Sequence, residues 1–221
     1  MIPKRNKESR NIDIWENILK DLPNSYQKWF AEENTFLHKH IRKNARVLEI
    51  GCGYGRSLHD ILDITAFLTG IDHDSTAIEH TKLRFKSIPS IKIIQAKAEQ
   101  TPFPDASFDY VICMTTFANF GQKKYDVLAE MKRVLKKKGS ILISVFSEDA
   151  LAERLKVYKK MHIPLRKITK EGTVIFDEDF DDNTSEQFSK SQLLQIFRKA
   201  KLKVVEIKKV NIAYLCKLTK E

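Results

Sequence analysis

"VLEIGCGYGRS", residues 47–57, sets Gly51, Gly53 and Gly55 at alternate positions behind an apolar run that carries Glu49. The chain has seven glycines in all, and three of them fall within five residues. Glycine costs conformational entropy on folding, so such a cluster marks a backbone that turns tightly or comes close to a ligand. The run before it, "ARVLEI", reads as a strand and "GRSLHDILDI" after it as a helix, which makes the turn a strand-to-helix connection. A dinucleotide fingerprint GxGxxG would want glycine at position 56, where Arg56 stands. A carboxylate at the strand end would also repel a pyrophosphate. It suits an ammonium-bearing ligand, which Glu49 can face directly or through water while the glycine backbone packs along the ligand's chain.

Outward from the turn, apolar and helical runs alternate. "AFLTGID", "IKIIQAK", "FDYVICM" and "SILISVF" read as further strands. Between them, "STAIEHTKLRFKSI" reads as a helix capped by Ser75. "QKKYDVLAEMKRVLKKK" reads as a helix stopped by Gly139, with Lys136, Lys137 and Lys138 complementing its dipole. Upstream, residues 11–43 read as two helices broken at Pro23, one carrying Ile14 and Ile18, the other Trp29, Phe30, Phe36, Leu37 and Ile41. Downstream come a mixed segment 147–188, the helix "SKSQLLQIFRKA" and two adjoining strands, "LKVVEIKKV" and "IAYLCKLTK". Alternation of this kind predicts an α/β fold, a doubly wound Rossmann-like sheet of about seven strands. It is mostly parallel, and the last two strands, too close for a crossover, form an antiparallel hairpin. The chain divides as a single domain 1–221: a helical cap 1–43, a ligand-binding core 45–146, an insertion 147–188 that can act as a substrate lid, and a C-terminal helix and hairpin 189–221. Such sheets bind ligands at the carboxyl ends of their strands. The second strand ends "GIDHD", placing Asp72 nineteen residues after Gly53, where a carboxylate can accept both ribose hydroxyl protons.

Across residues 45–146 the chain resembles the class I S-adenosylmethionine-dependent methyltransferases, in the group with small-molecule-type cores; the C-terminal hairpin matches more loosely. "VLEIGCGYGR" matches that family's first motif and "GIDHD" its second. "QAKAEQTPFPDASFDYVIC" looks like its adenine-side loop and fourth strand, and "LAEMKRVLKKKGSILISVF" like its following helix and fifth strand. S-adenosylmethionine carries an ammonium, a carboxylate and a sulfonium but no phosphate, in keeping with Glu49 before the turn. The resemblance implies that Glu49, Gly51, Cys52, Gly53 and Gly55 line its methionyl side; within the turn, Cys52 is expected to pack rather than react. By the same resemblance Asp72 holds the ribose, with His73, Ala98 and Glu99 near the adenine. Cys113, Met114 and Thr115 border the sulfonium and the incoming acceptor. One position departs: Lys97 stands where many relatives carry an aspartate that accepts from the adenine amino group, and lysine cannot accept. Glu99 or a backbone carbonyl takes over that contact, or adenine is held less tightly.

The implied reaction is methyl transfer to an acceptor by in-line displacement, with S-adenosylhomocysteine as the other product. Alignment and exclusion of water matter more there than a base, and no catalytic base is assigned. "CMTT" follows the fourth strand where an Asn-Pro-Pro-Tyr-like tetrapeptide would mark methylation of exocyclic amines, and no Pro-Cys pair supplies a nucleophile for pyrimidine carbons. A small-molecule acceptor is therefore expected. Tyr26 and Trp29, whose polar tips suit a partly wet pocket rim, are expected at its mouth together with Thr115. A net charge of +10, from 39 basic and 29 acidic residues, keeps tRNA or another RNA as the alternative acceptor. A non-catalytic S-adenosylmethionine-binding or partner protein is the other alternative, and oligomeric state is left open. Asp177, Asp179 and Asp181 alternate as in a calcium loop, but the glycine and glutamate positions fail, so no metal is expected. Three scattered cysteines, no apolar run of membrane-spanning length and no secretory signal predict a cytoplasmic protein without membrane contact.

Overall fold

A computed structural model describes residues 23–177 and 184–221. Helix α1 (Asn24–His40) leads into β1 (Val47–Ile50), the glycine turn and a short α2 (Arg56–Asp60). There follow β2 (Leu68–Asp72), α3 (Ser75–Arg84), β3 (Lys92–Gln95) and β4 (Phe108–Met114). Two 3₁₀ turns, Thr116–Asn119 and Gly121–Lys123, join β4 to α4 (Lys124–Val134), which runs straight into β5 (Leu135–Phe146). The order β3-β2-β1-β4-β5-β10-β9 closes a seven-stranded sheet, in which β9 (Leu202–Val210) and β10 (Ala213–Lys220) form the C-terminal hairpin. β10 runs antiparallel to both neighbours and the remaining pairings are parallel. The α/β sheet expected from the alternation is the one observed.

β1 is buried along its whole length, and β4 nearly so, because they lie at the centre of the sheet with layers on both faces. The glycine turn leaves β1 at the carboxyl edge of the sheet, beside the point where the strand order reverses, and the cavity lies there. The segment after β5 is more ordered than a simple loop. It holds α5 (Leu151–Lys160) and a three-stranded antiparallel sheet of β6 (Leu165–Ile168), β7 (Val174–Phe176) and β8 (Thr184–Ser185). This sheet has its own apolar cluster of Tyr158, Ile163, Val174 and Phe176. Helix α6 (Lys190–Lys199) starts at Ser189 with a capping box closed by Gln192.

Three local expectations are corrected. The N-cap of α3 is Asp74, whose Oδ1 accepts from Thr76 and Ala77 N–H, and Ser75 is the first helical residue. Helix α2 ends at Asp60 instead of running to residue 64. There the Thr65 hydroxyl donates to Ala45 O at 2.7 Å and Asn44 N–H to Ile64 O, drawing the chain back to the start of β1. Helix α4 ends at Val134 because Leu135 turns extended and is buried, pairing with Phe108. Lys136, Lys137 and Lys138 are therefore strand residues, and Lys136 pairs with Asp109 at 3.0 Å rather than with a helix end. Gly139 sits where a Cβ would strike Asp109 O and the Leu135 side chain, so it serves close packing and not helix termination. The helix read over residues 11–22 and residues 178–182 of the acidic loop lie outside the described residues.

Candidate active site

A cavity of about 1200 Å³ opens at the carboxyl ends of β1, β2 and β4 and extends under α1 and the inserted sheet. Its floor is the glycine turn. Gly53 has φ +46°, a left-handed conformation that side-chain-bearing residues adopt at a cost, and among the described residues no atom beyond its chain neighbours lies within 4 Å of where its Cβ would stand. The turn thus leaves open a space that any other residue would begin to fill. A Cβ on Gly51 would run into Thr116, whose hydroxyl donates to Gly51 O at 2.9 Å and ties the turn to the end of β4. Gly55, expected on the ligand side, is not among the lining residues. A Cβ there would meet the Phe85 ring, so its smallness lets α3 pack against the turn.

Asp72 closes the turn from β2. Its Oδ2 accepts from Gly53 N–H at 2.8 Å and its Oδ1 from Asp74 N–H at 3.1 Å, so the carboxylate is oriented by backbone before any ligand arrives. His73 lies beside it, half exposed, with Nδ1 3.4 Å from Asp72 Oδ1. Lys97, Ala98 and Glu99 line the next stretch of wall, and Glu99 is paired with Lys123 at 3.2 Å. Glu49 lies deeper. It is 2% exposed, lines the cavity, and its Oε2 makes no hydrogen bond among the described residues. Burial pushes its carboxyl up to about 8, against the pull of the Arg56 charge and the Ser57 hydroxyl.

The end of β4 brings Met114 and Thr115 to the cavity but not Cys113. Side chains alternate along a strand, and Cys113 points to the opposite face from Met114 and is fully buried. Its thiol, pushed well above its usual range by burial, is core. Thr115 has φ +69°, an unusual setting for a β-branched residue. Its N–H donates to Ser144 O at 3.0 Å, which holds the bend. Cys52 lines the cavity from the turn, and burial likewise keeps its thiol protonated.

Tyr26 and Trp29 line the cavity too, but as a dry wall and not a wet rim: they are 3% and 0% exposed. Trp29 Nε1–H donates to Ser144 Oγ at 2.6 Å, and the two rings pack with Phe146 at centroid distances of 6.1 and 4.9 Å. The indole N–H finds a partner inside the protein, which removes the reason to expect it near water. Phe36 and Ile41 are buried in the main core.

Two charged pairs without any sequence motif stand in or behind these walls. On α1, Glu33 is fully buried and bonded to Arg56 Nη2 at 2.5 Å, and the Arg56 guanidinium lies 3.9 Å from the Phe30 ring centroid. On the far side, Lys124 pairs with Glu186 at 2.9 Å, and Glu186 Oε2 is buried without a hydrogen bond among the described residues. Glu33 had a signal: with Trp29, Phe36 and Leu37 it falls on one apolar helical stripe, where a carboxylate is out of place.

A family model described as "Methyltransferase domain" matches residues 48–143, the span from β1 to β5. An uncharacterized protein of Methanocaldococcus jannaschii is 32% identical over 152 residues, 65% of this chain and 68% of that one. The eEF1A lysine and N-terminal methyltransferase of Bos taurus is 28% identical over 148 residues, 64% of this chain but 21% of that much longer one. The 1,6-didemethyltoxoflavin-N1-methyltransferase of Burkholderia thailandensis, solved with bound 1,6-didemethyltoxoflavin and S-adenosylhomocysteine, superposes with a TM-score of 0.68. It covers 96% of this chain and 88% of its own at 17% identity, a likeness of fold. The chain belongs to the class I S-adenosylmethionine-dependent methyltransferases. Among the described residues no helix is long and apolar enough to cross a membrane.

Proposed function

We propose that the protein moves a methyl group from S-adenosylmethionine to a small-molecule acceptor inside this cavity. S-adenosylmethionine supplies an electrophilic methyl on a sulfonium: the acceptor's lone pair forms the new bond as the sulfur–methyl bond breaks, its electrons stay on sulfur, and the acceptor's proton goes to solvent. The chain's part is to hold and align. Glu49 Oε2 would take the ammonium, the backbone over Gly51 and Gly53 the methionyl chain, and Asp72 the ribose hydroxyls. His73, Ala98 and Glu99 would flank the adenine, with Lys97 unable to accept from it. Met114 and Thr115 would border the transfer path.

The observation that carries the small-acceptor reading is the cavity itself. At about 1200 Å³ it exceeds the roughly 300–1,000 Å³ of sites for one drug-sized ligand. It therefore has room for the cofactor and a second small molecule. Tyr26, Trp29, Phe30, Phe146 and Phe176 wall the space beyond the glycine turn, so an acceptor there would be shielded from water. The +10 charge gives weaker support to RNA, because many of the lysines are spent locally. Lys39 pairs with Glu206, Lys208 with Glu32 and Lys209 with Glu148 and Asp149. The protein-modifying relative keeps a side chain on a protein as the second reading. The three cysteines, free and buried, fit a reducing cytoplasm.

The test is transfer of labelled methyl from S-adenosylmethionine into a cell extract that is then split into small-molecule, RNA and protein fractions, with Asp72→Asn as control. Label in the small-molecule fraction that disappears with the variant supports the reading. Label confined to RNA or protein replaces it.

A further inference from the structure

Around the glycine turn, one guanidinium faces three carboxylates. Arg56 Nη2 donates to Glu33 Oε2 at 2.5 Å and Nη1 reaches Asp60 Oδ2 at 3.4 Å, while Glu49 feels the same charge from β1. Glu33 and Glu49 are buried, and each keeps one oxygen, Oε1 and Oε2 respectively, without a hydrogen bond among the described residues. Among the described residues, the other groups that act on them are neutral: the Ser57 and Ser144 hydroxyls and the Cys52 and Cys113 thiols, which Asp72 also faces from across the turn. Two buried glutamates cannot both stay ionised beside one shared cation without a large desolvation cost, so the pair holds a proton. Burial raises both carboxyls from their ordinary value, and Glu33 is the one in direct contact with Arg56. The proton therefore resides on Glu49. Glu33 does not line the cavity, and it reaches the floor through Arg56, which does.

We propose that Glu33 is a positioning residue for the cofactor site: it holds Arg56 to itself, so that Glu49 keeps a proton in the free protein and releases it when the cofactor's ammonium arrives. The exchange balances. A neutral Glu49 carboxyl and an ammonium become a carboxylate–ammonium pair, and one proton passes to solvent. This rests on the reading that the glycine turn holds S-adenosylmethionine.

Calorimetric titration with S-adenosylhomocysteine, in phosphate and in Tris at the same pH, counts that proton. At pH 7 the wild type is expected to release between about half a proton and one proton per ligand bound, and to bind more tightly as pH rises toward 8, by up to about tenfold per unit. Adenosine, which lacks the ammonium, should bind without release. In Glu33→Gln, Arg56 turns to Glu49, ionises it in advance and competes with the ammonium for its carboxylate. The count should then fall below half the wild-type value and S-adenosylhomocysteine should bind about tenfold more weakly, with adenosine unaffected. A Glu33 that merely packs the helix would lower the melting temperature and leave the proton count unchanged, which overturns the proposal. Binding to the wild type with no proton release between pH 6 and 8 also overturns it while leaving the cofactor reading in place. Failure of the wild type to bind S-adenosylhomocysteine removes that reading itself.

Discussion

Arg56 and Arg154 are both withdrawn from water, Arg154 wholly and Arg56 for the most part, yet their surroundings are opposite. Arg56 at the glycine turn meets carboxylates from α1 and α2 with a third on β1. Arg154 on α5 meets neutral oxygens: it donates to Gly172 O at 3.0 Å, Ser185 O at 2.6 Å, Gln187 Oε1 at 3.2 Å and Tyr158 Oη at 3.3 Å. Its guanidinium also stands 4.7 Å from the Phe146 ring centroid. The first arrangement leaves a surplus of negative charge beside the cavity, fit for a cation to enter. The second spends one buried charge on pinning three separate segments of the insertion, from α5 to β8. One arginine sets up binding and the other holds the wall that encloses what is bound.

The contrast can be broken by removing each arginine. Arg56→Leu strands Glu33 and Glu49, and should cost about 3–5 kcal/mol at pH 8. Both carboxyls already titrate above their unfolded values, so folding takes up protons and stability falls as pH rises. The loss in this variant should shrink as pH drops from 8 toward 5, where protonation removes the stranded charge. Arg154→Leu leaves carbonyls unpaired and no carboxylate behind. It should cost about 3 kcal/mol with little dependence on pH over the same range, and expose the insertion to protease before the sheet. Urea melts of both variants across pH check this; parallel pH profiles would erase the distinction. A smaller effect should follow Trp29→Phe, which keeps the ring packing and deletes the bond to Ser144. About 1 kcal/mol of stability should go, with adenosine binding intact.

The same division separates what could be read in the sequence from what could not. Backbone requirements leave marks in residue type. Three alternate glycines, an acid ahead of them and Asp72 at the next strand end made the cofactor half legible, because few residues tolerate that turn. The enclosing half rests on side chains that carry no motif. Arg154 and Glu33 each sit among apolar neighbours at helical spacing, with Val157 and Tyr158 for one and Trp29 and Leu37 for the other. A charge on a buried stripe was the available signal. Cys113 was misplaced because β4 is covered on both faces, so apolar content along it cannot say which face meets the cavity. Trp29 was misplaced because its partner, Ser144, is 115 residues away.

The account stands most directly on the space over Gly53. The Cβ of a Val at that position would meet no atom of the described residues within 4 Å, while the side chain would intrude where the methionyl chain would run, and its positive φ costs on the order of 1–3 kcal/mol. Equilibrium binding of S-adenosylmethionine to folded Gly53→Val, judged by its circular dichroism and a cooperative melt, is the decisive measurement. The account predicts a folded protein whose affinity has dropped by about a hundredfold or more, roughly 3 kcal/mol. A folded variant that binds S-adenosylmethionine as the wild type does would contradict it.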